Sequence, residues 1–328
     1  MNTAVKLSAY GVALVLVASG AWAIGSAVGP LSSESAPKAE EGTHGSEAAG
    51  HGDSHSGTVA GAAQDLPKGL ASTRGGYTLA PTVTTLPAGT SDFSFRILGP
   101  QGAAVTSFEV EHDKKLHLIV VRRDTAGFQH VHPEMAADGT WKVPLNLPQA
   151  GTYRVFADFE ATGGEATTLG TDVSVAGAFE PRTFASSRVA EVDGYQVRLD
   201  GDLVAGKASP VKVTVSKDGK PVTDLQPYLA AYGHLVALRQ SDLAYLHVHP
   251  EGAPGDGKTA PGPEIAFVAE VPSAGGYRLF LDFQHNGVVR TAEFTLSTDG
   301  TPAPAPAPTT TTAADSHGTS EDGHGHGG

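Results

Sequence analysis

The chain has 328 residues, which is enough for two domains of ordinary size with additional tails. It contains no cysteine and only two methionines, which excludes disulfides, thiolate metal sites and a methionine-rich site for Cu(I). The formal charge of −13 disfavours nucleic acid as a partner.

The first segment, residues 1–29, is predicted to be a membrane anchor or a signal peptide. Residues 7–28 carry no charge and are rich in Ala, Val and Leu, and a run of about 20 apolar residues is the length that crosses a bilayer. Ala21-Trp22-Ala23 matches the small-x-small pattern of a signal-peptidase site, but the apolar run continues past it, which favours an uncleaved anchor. We therefore expect a single N-terminal pass in the cell membrane with the bulk of the chain extracytoplasmic, or a secreted protein if the segment is cleaved.

Two low-complexity segments flank the central region. Residues 30–66 are mostly Ser, Gly, Ala and Glu, whereas residues 298–328 alternate Pro with Ala or Thr from Thr301 to Pro308 and end in Gly, His and acidic residues. Both segments have almost no large apolar side chain to bury, so they are predicted to be disordered. Their histidines either collect metal weakly or are simply solvated: His44, His51, His55, His317, His324 and His326.

The central region is a tandem repeat. The phrase His-Val-His-Pro occurs at His130–Pro133 and again at His247–Pro250, and a lone histidine precedes each copy at the same distance, His117 and His234. The two copies align without a gap from Val105 to Glu134, at an offset of 117 positions. The histidines lie in the best-matched part of the duplication.

Matches resume after this window at a larger offset. Tyr153 and Asp158 recur 124 positions later as Tyr277 and Asp282, so the second copy holds seven extra residues in a loop. A duplication of this extent predicts two similar domains, which we place at residues 67–177 and 178–297.

The hydrophobic pattern of both domains is typical of β-structure, with short alternating runs between Gly, Pro and Asp turns and no convincing helical stripe. The predicted strands lie near 77–84, 91–98, 117–123, 128–132, 140–147, 152–159 and 166–175, and then near 188–199, 209–216, 234–240, 244–249, 264–271, 276–283 and 287–296. Seven short strands per repeat, with Tyr153 and Tyr277 at the place of a tyrosine corner, are typical of an immunoglobulin-like sandwich. The expected fold class is all-β, with two tandem immunoglobulin-like β-sandwich domains, an N-terminal transmembrane helix and disordered tails; an open barrel is the alternative.

The repeated histidines are candidate metal ligands. Side chains alternate along a strand, so His130 and His132 face the same way, and the hairpin after His117 brings all three to one end of the sheet. Asp158, at the end of the neighbouring sixth strand, is expected at the same end. The second set is His234, His247, His249 and Asp282, with His285 on the following turn. Each set suits one divalent transition metal, Cu(II) or Zn(II), and affinity is expected to fall as pH drops through about 6.5.

A structural role for these histidines is the alternative. Buried imidazoles that hydrogen-bond neighbouring turns would leave the repeats as an adhesion or assembly module without metal. No Gly-x-Ser-x-Gly elbow, phosphate loop or His-Glu-x-x-His motif is present, so an enzyme is not expected. We expect Arg122 and Arg123, and their counterparts Arg239 and Gln240, on the solvated face of a strand, and His112 in a solvated loop.

The chain also resembles a group of exported bacterial proteins. Gly233 to Arg239 reads Gly-His-Leu-Val-Ala-Leu-Arg, and Leu243 to Pro250 reads Leu-Ala-Tyr-Leu-His-Val-His-Pro. With the apolar N-terminal segment and the histidine-bearing linker, these phrases are similar to heavy-metal-binding, YtkA-like or FixH-like immunoglobulin-fold proteins. The resemblance implies an extracytoplasmic role in handling copper or another heavy metal. The partners we expect are the membrane, through residues 7–28, and a metal transporter or another envelope protein.

Overall fold

The computed structural model describes residues 67–246 and 248–298, and every residue in these ranges lies in a strand, turn or loop rather than a helix. Accordingly, no helix in the described part is long and apolar enough to cross a bilayer. The predicted anchor over residues 7–28 and the predicted disordered segments lie outside the described residues, apart from Thr298. The all-β prediction is confirmed for the described part of the chain.

The first repeat consists of two sheets that face each other. Its strands are β1 (Thr73–Arg74), β2 (Tyr77–Pro81), β3 (Thr85–Leu86), β4 (Gly89–Leu98), β5 (Leu116–Arg122), β6 (Gln129–Val131), β7 (Glu134–Met135), β8 (Thr140–Leu147), β9 (Gly151–Phe159) and β10 (Thr167–Val175). One sheet has the order β1-β2-β4-β8-β7 and the other β3-β10-β9-β5-β6. In β8 every second side chain is buried, which turns Trp141 and its alternate neighbours towards the opposite sheet. A single core joins the two sheets and includes Phe93, Leu118 and Val155.

The second repeat has the same two-sheet plan. Its strands are β11 (Val189–Val192), β12 (Tyr195–Asp200), β13 (Lys207–Lys217), β14 (Lys220–Pro221), β15 (His234–Arg239), β16 (Tyr245–Leu246), β17 (Val248–Pro250), β18 (Glu264–Val271), β19 (Gly276–His285) and β20 (Val288–Ser297). The sheets have the orders β11-β12-β13-β18-β17, with β14 on β13, and β16-β15-β19-β20. Their core includes Val213, Phe267 and Leu279. The predicted boundary at residues 177 and 178 falls in the strand-free segment between β10 and β11.

Two tyrosines fix the same corner in each repeat. Tyr153 Oη donates a hydrogen bond to the carbonyl of Gln149 at 2.8 Å, and Tyr277 Oη donates to the carbonyl of Ser273 at 2.7 Å. A tyrosine hydroxyl bonded to the backbone a few residues upstream is the arrangement of a tyrosine corner.

The two repeats pack against each other through their β5–β9 and β15–β19 sheets. All seven residues of β5 are buried, because its second face is covered by the other repeat. The shared cluster holds Ile119, Val121, Phe156, Val236, Leu238, Leu243 and Phe280. Phe128 stacks on Phe280 with ring centroids 4.0 Å apart, and Phe156 meets Tyr245 at 5.6 Å. Phe128 corresponds to Tyr245, and Phe156 to Phe280, so the two contacts are exchanged by an approximate two-fold relation.

The prediction that Arg122 lies on a solvated strand face is wrong. Its side chain is 2% exposed and donates two hydrogen bonds to the carboxylate of Asp124, at 2.8 and 2.6 Å. It also donates to the carbonyls of Ala150 and Glu180. Burial of this guanidinium is tolerated because a paired carboxylate and two carbonyls satisfy its donors. Its counterpart Arg239 is also largely buried and pairs with Asp242.

Candidate metal centre

Three histidines of the first repeat converge at the end of the β5–β6 hairpin. Register places Leu118 opposite Val131 and Ile119 opposite His130, so His117 lies beside the place where β6 ends. His132 follows β6 directly. One ring nitrogen from each of His117, His130 and His132 lies within 4.8 Å of the other two.

In His117 and His130, the nitrogen that points away from the cluster makes a hydrogen bond, and this bond determines which nitrogen carries the lone pair towards the cluster. His117 Nε2 lies 3.0 Å from the carbonyl oxygen of Glu111, which can only accept, so the proton is on Nε2 and the lone pair is on Nδ1. His130 Nδ1 lies 2.8 Å from Asp282 Oδ2, which leaves Nε2 with the lone pair in the neutral ring. His117 Nδ1 is 3.1 Å from His130 Nε2 and 3.2 Å from His132 Nε2. Neutral His117 and His130 therefore present two lone pairs to each other at hydrogen-bond distance.

The protein environment favours the neutral, metal-binding form of two of these rings, His117 and His132. Burial lowers the pKa of His117 to about 4, against the opposing effect of its hydrogen bond to Glu111. Burial, helped by the nearby rings of His130 and His117, lowers the pKa of His132 to about 3. Since only neutral imidazole binds metal, these shifts keep two of the three nitrogens available well below neutral pH.

The spacing of the inward nitrogens fits a metal ion. Around a tetrahedral ion with metal–nitrogen bonds of about 2.0–2.1 Å, ligating nitrogens lie about 3.3 Å apart. The two short distances from His117 Nδ1, 3.1 and 3.2 Å, are close to that value. Three imidazoles suit Zn(II), Cu(II) or Ni(II) and leave a fourth position for water or another ligand.

The carboxylate that contacts the cluster comes from the other repeat. Asp158 is paired with His117 in the register of β5 and β9, but its Oδ1 accepts a hydrogen bond from Thr168 Oγ1 at 2.6 Å. It is Asp282, in β19, that bonds His130 across the interface between the repeats. The sequence prediction grouped Asp158 with the first set of histidines and Asp282 with the second. The structure instead joins Asp282 to the first set.

The second set of predicted ligands is not assembled in the same way among the described residues. His234 Nε2 donates to the carbonyl of Leu229 at 2.8 Å, as His117 does to Glu111, and burial lowers its pKa to about 4. His249 lies on β17, which pairs with β18 in the opposite sheet, and its side chain is exposed. His247 lies outside the described residues, so the predicted second site stays a prediction.

His285 is engaged elsewhere in the second repeat. Its Nδ1 lies 2.7 Å from Tyr195 Oη, and its Nε2 lies 3.0 Å from Asp224 Oδ1. Both ring nitrogens therefore have partners outside the histidine cluster, and the structure does not bring His285 to the other predicted ligands.

A cavity of about 400 Å³ lies between the repeats beside the cluster. Its lining includes His117 and His130 from the first repeat and His234 and His249 from the second. Bulk water occupies about 30 Å³ per molecule, so this space accommodates an ion with several waters. The cluster thus borders the space between the two repeats.

Sequence reasoning missed two neighbours of the cluster. His112 was expected in a solvated loop; its side chain is exposed, but its ring lies 5.1 Å from that of His234 and 6.2 Å from that of His117. The carbonyl of Glu111 orients His117. Every residue type has a backbone carbonyl, so the sequence does not reveal that the carbonyl of Glu111 orients His117. His112 has no histidine counterpart in the second repeat, so comparison of the repeats did not reveal it either.

Comparison with known proteins gives a family but no activity. Residues 72–177 and residues 190–300 each match the family described as a domain of unknown function, DUF8832. No curated protein matches the chain.

Several solved structures are similar to parts of this chain. They include Salmonella alpha-2-macroglobulin (13% identity, TM-score 0.25, 72% of this chain and 15% of that one) and invasin, a bacterial integrin-binding protein (11%, 0.19, 67% and 39%). The D0-D1 domain of intimin is similar at 14% identity and TM-score 0.20, over 66% of this chain and 96% of that one. The chain spans only a small part of the alpha-2-macroglobulin, and at these TM-scores the likenesses carry no inference. The family matches cover more than half of the sequence, so the chain belongs to the DUF8832 family and carries two copies of its domain.

Proposed function

We propose that this protein binds a divalent transition metal, Cu(II) or Zn(II), outside the cytoplasm, for sequestration or homeostasis. His117 Nδ1, His130 Nε2 and His132 Nε2 are the proposed ligands. In this proposal the protein is not an enzyme, it is held at the membrane by residues 7–28, and it works beside a metal transporter or another envelope protein. The repeats are immunoglobulin-like sandwiches, which their tyrosine corners support.

One observation carries the metal assignment. His117 Nδ1 and His130 Nε2 approach to 3.1 Å, although the other nitrogen of each ring already faces an acceptor. Two buried lone pairs at that distance repel unless a cation lies between them. A metal ion satisfies all three inward nitrogens at once, and a protonated His130 donating to His117 satisfies two of them. The second arrangement is the structural alternative, in which the repeats serve as an adhesion or assembly module.

Metal content separates the two proposals. The full chain is compared with a cluster variant, His117→Ala with His130→Ala and His132→Ala, and with a linker variant, His44→Ala with His51→Ala and His55→Ala. Each variant removes three histidines, so unspecific uptake falls equally in both. Elemental analysis and calorimetry with Zn(II) and Cu(II) are expected to show one tightly bound equivalent that only the cluster variant loses. A wild type that takes up no metal at micromolar concentration, or equal losses in both variants, would favour the structural alternative.

The second predicted site is kept as part of the proposal. His234 offers the same orientation as His117, because its Nε2 donates to a backbone carbonyl. With His247, His249 and Asp282 it was predicted to bind a second ion. A second equivalent that disappears in a His247→Ala, His249→Ala variant is the expected result if this part is right.

A further inference from the structure

We propose that the metal centre is a joint product of the two repeats: Asp282 of the second repeat is the positioning residue for His130 of the first. The inference rests on the proposed function, because it concerns the affinity of the same three histidines. Its consequence is that metal binding and docking of the two repeats are thermodynamically linked.

The contact between the two repeats is buried and short. His130 Nδ1 donates to Asp282 Oδ2 at 2.8 Å, and the two side chains are 4% and 5% exposed. The second oxygen of Asp282 accepts from Thr291 Oγ1 at 2.5 Å, which fixes the plane of the carboxylate. A carboxylate behind a ligating imidazole sets the tautomer, orients the ring and raises the basicity of the nitrogen that faces the metal.

Correct placement of Asp282 depends on the packing of the two repeats. It lies two residues after Phe280, whose ring stacks on Phe128 with an angle of 4° between the planes. Phe128 in turn lies two residues before His130, just ahead of β6. The aromatic stack and the His130–Asp282 bond are therefore neighbouring contacts along the same pair of strands. If the repeats separate, His130 loses the group that orients it.

Asp158 provides the matched comparison. It occupies the same place in the first repeat that Asp282 occupies in the second, and each carboxylate accepts from a threonine, Thr168 or Thr291. Among the described residues, only Asp282 of this pair has a hydrogen bond to a histidine of the cluster. If the two aspartates acted only through their negative charge, replacing either one would weaken metal binding by a similar factor. A positioning role makes Asp282 the more important one.

The experiment compares Asp282→Asn with Asp158→Asn in the full chain. Zn(II) affinity is measured by competition with a chelator, and the ligand field by the visible absorption of the Co(II)-loaded protein. Loss of an outer carboxylate typically weakens a metal site about 10–100-fold, so Asp282→Asn is expected to show that loss and a shifted Co(II) spectrum. Asp158→Asn is expected to show a smaller loss with an unshifted spectrum. Equal losses, or unchanged affinity in Asp282→Asn, would overturn the inference.

A second measurement covers the case in which Asp282→Asn does not fold. Linkage is reciprocal, so Zn(II) must stabilise the docked arrangement if docking favours Zn(II). Amide hydrogen exchange in β19 of a His247→Ala, His249→Ala variant, which lacks the proposed second site, is expected to slow when Zn(II) is added, although every ligand of the three-histidine centre lies in the first repeat. Protection confined to the first repeat would overturn the inference.

The outcomes also separate this inference from the proposed function. A wild type that binds no Zn(II) removes both. A wild type that binds one equivalent at the three histidines, while Asp282→Asn and Asp158→Asn bind equally well, removes the cross-repeat role of Asp282 and leaves the proposed function intact.

Discussion

The two repeats are copies of each other in sequence, but they diverge just where the histidines lie. In the first repeat, β6 stays paired with β5 as far as Val131, and the chain joins the opposite sheet only at β7. In the second repeat, β16 ends at Leu246, and by Val248 the chain already pairs with β18 of the opposite sheet. His132 and His249, which are matched in sequence, therefore lie in different surroundings. His132 belongs to a partly buried cluster of three histidines, whereas His249 is exposed.

The difference between the repeats shows that an inherited motif does not fix strand pairing. The hairpin up to Leu246 keeps the register of the first repeat, since Val120 faces Gln129 and Ala237 faces Leu246. The connection that follows is seven residues longer in the second repeat. A longer connection between β17 and β18 allows those strands to pair earlier, and this pairing places His249 in the sheet that holds β18. The longer loop and the earlier pairing of β17 with β18 thus occur together in the second repeat.

The largest effect is expected where the repeats are most alike in their packing. Phe156 and Phe280 are counterparts, both fully buried in the interface. Phe280→Ala and Phe156→Ala should each lower the free energy of unfolding by about 3–5 kcal/mol, because each leaves a cavity and removes a ring that contacts an aromatic ring of the other repeat. Urea unfolding measures both values. A difference of more than about 2 kcal/mol between the two variants would contradict a reciprocal interface.

The next largest effect tests the divergence itself. His132→Ala removes one of three proposed ligands and should weaken the tightest Zn(II) site by about 100-fold or more, since each imidazole contributes a full coordination bond. His249→Ala should leave that site nearly unchanged, because His249 is exposed and is not one of the three histidines whose nitrogens converge. Competition titration with a chelator compares them. Equal weakening by the two substitutions would mean that the repeats contribute equivalent histidines after all.

A smaller effect should appear in the pH dependence of the metal-free protein. Burial lowers the folded-state pKa of His117 to about 4, of His132 to about 3 and of His234 to about 4. Between these values and about 6.5 the unfolded chain binds more protons, so stability is fully present above about pH 6.5 and is lost as pH falls towards 4. Each histidine contributes at most about 1.4 kcal/mol per pH unit.

The repeats should differ in this pH response as well. Replacing His117 and His132 by Gln should flatten the loss of stability between pH 6.5 and 4 more than replacing His234 by Gln. Chemical denaturation at several pH values, with a chelator present, provides the comparison. The same pKa shifts bear on metal binding, because protons compete less for His117 and His132 than for an ordinary imidazole. Protonation of His117 or His132 near pH 6.5 in the metal-free protein would contradict the buried, neutral state of these two rings.

The smallest effect tests a feature on which the repeats agree. Tyr153→Phe and Tyr277→Phe each remove one hydrogen bond from a hydroxyl to a backbone carbonyl, at 2.8 and 2.7 Å. Each substitution should lower the free energy of unfolding by about 1 kcal/mol, the usual contribution of such a bond. Thermal unfolding of the two variants should give matched shifts. A large shift of the unfolding temperature in one repeat only would show that its tyrosine hydroxyl makes a further stabilising interaction beyond the shared hydrogen bond.

Much of the fold could be predicted from local patterns. The runs at 140–147 and 264–271 alternate regularly between buried and more exposed side chains, and the predicted bounds coincide with β8 and β18. A strand that packs one face on the core and turns the other towards solvent shows this period of two in its sequence. The interface between the repeats is also reflected in the sequence. Leu118-Ile119-Val120-Val121 is a continuous apolar run, which is typical of a strand buried on both faces.

The composition of the candidate site was harder to predict. The convergence of His117, His130 and His132 follows from strand alternation and one hairpin, both of which are local properties. The assignment of Asp282 to His130 depends on how two domains dock, and docking is decided by the shape of whole surfaces rather than by spacing along the chain. The burial of Arg122 was missed for a similar reason, because the linker carbonyl of Glu180 that accepts from it is 58 residues away in sequence.

The exchanged ring contacts have a consequence for the history of the chain. Phe128 on Phe280 and Phe156 on Tyr245 are the pairs that two identical subunits make when they associate about a two-fold axis. A chain with one repeat is therefore suited to forming the same interface as a homodimer, and every substitution in it would then appear twice. Joining the halves into one polypeptide removes that restriction. Each half is then free to change alone, so one can keep an interior cluster of imidazoles while its twin exposes the matching residue on the surface.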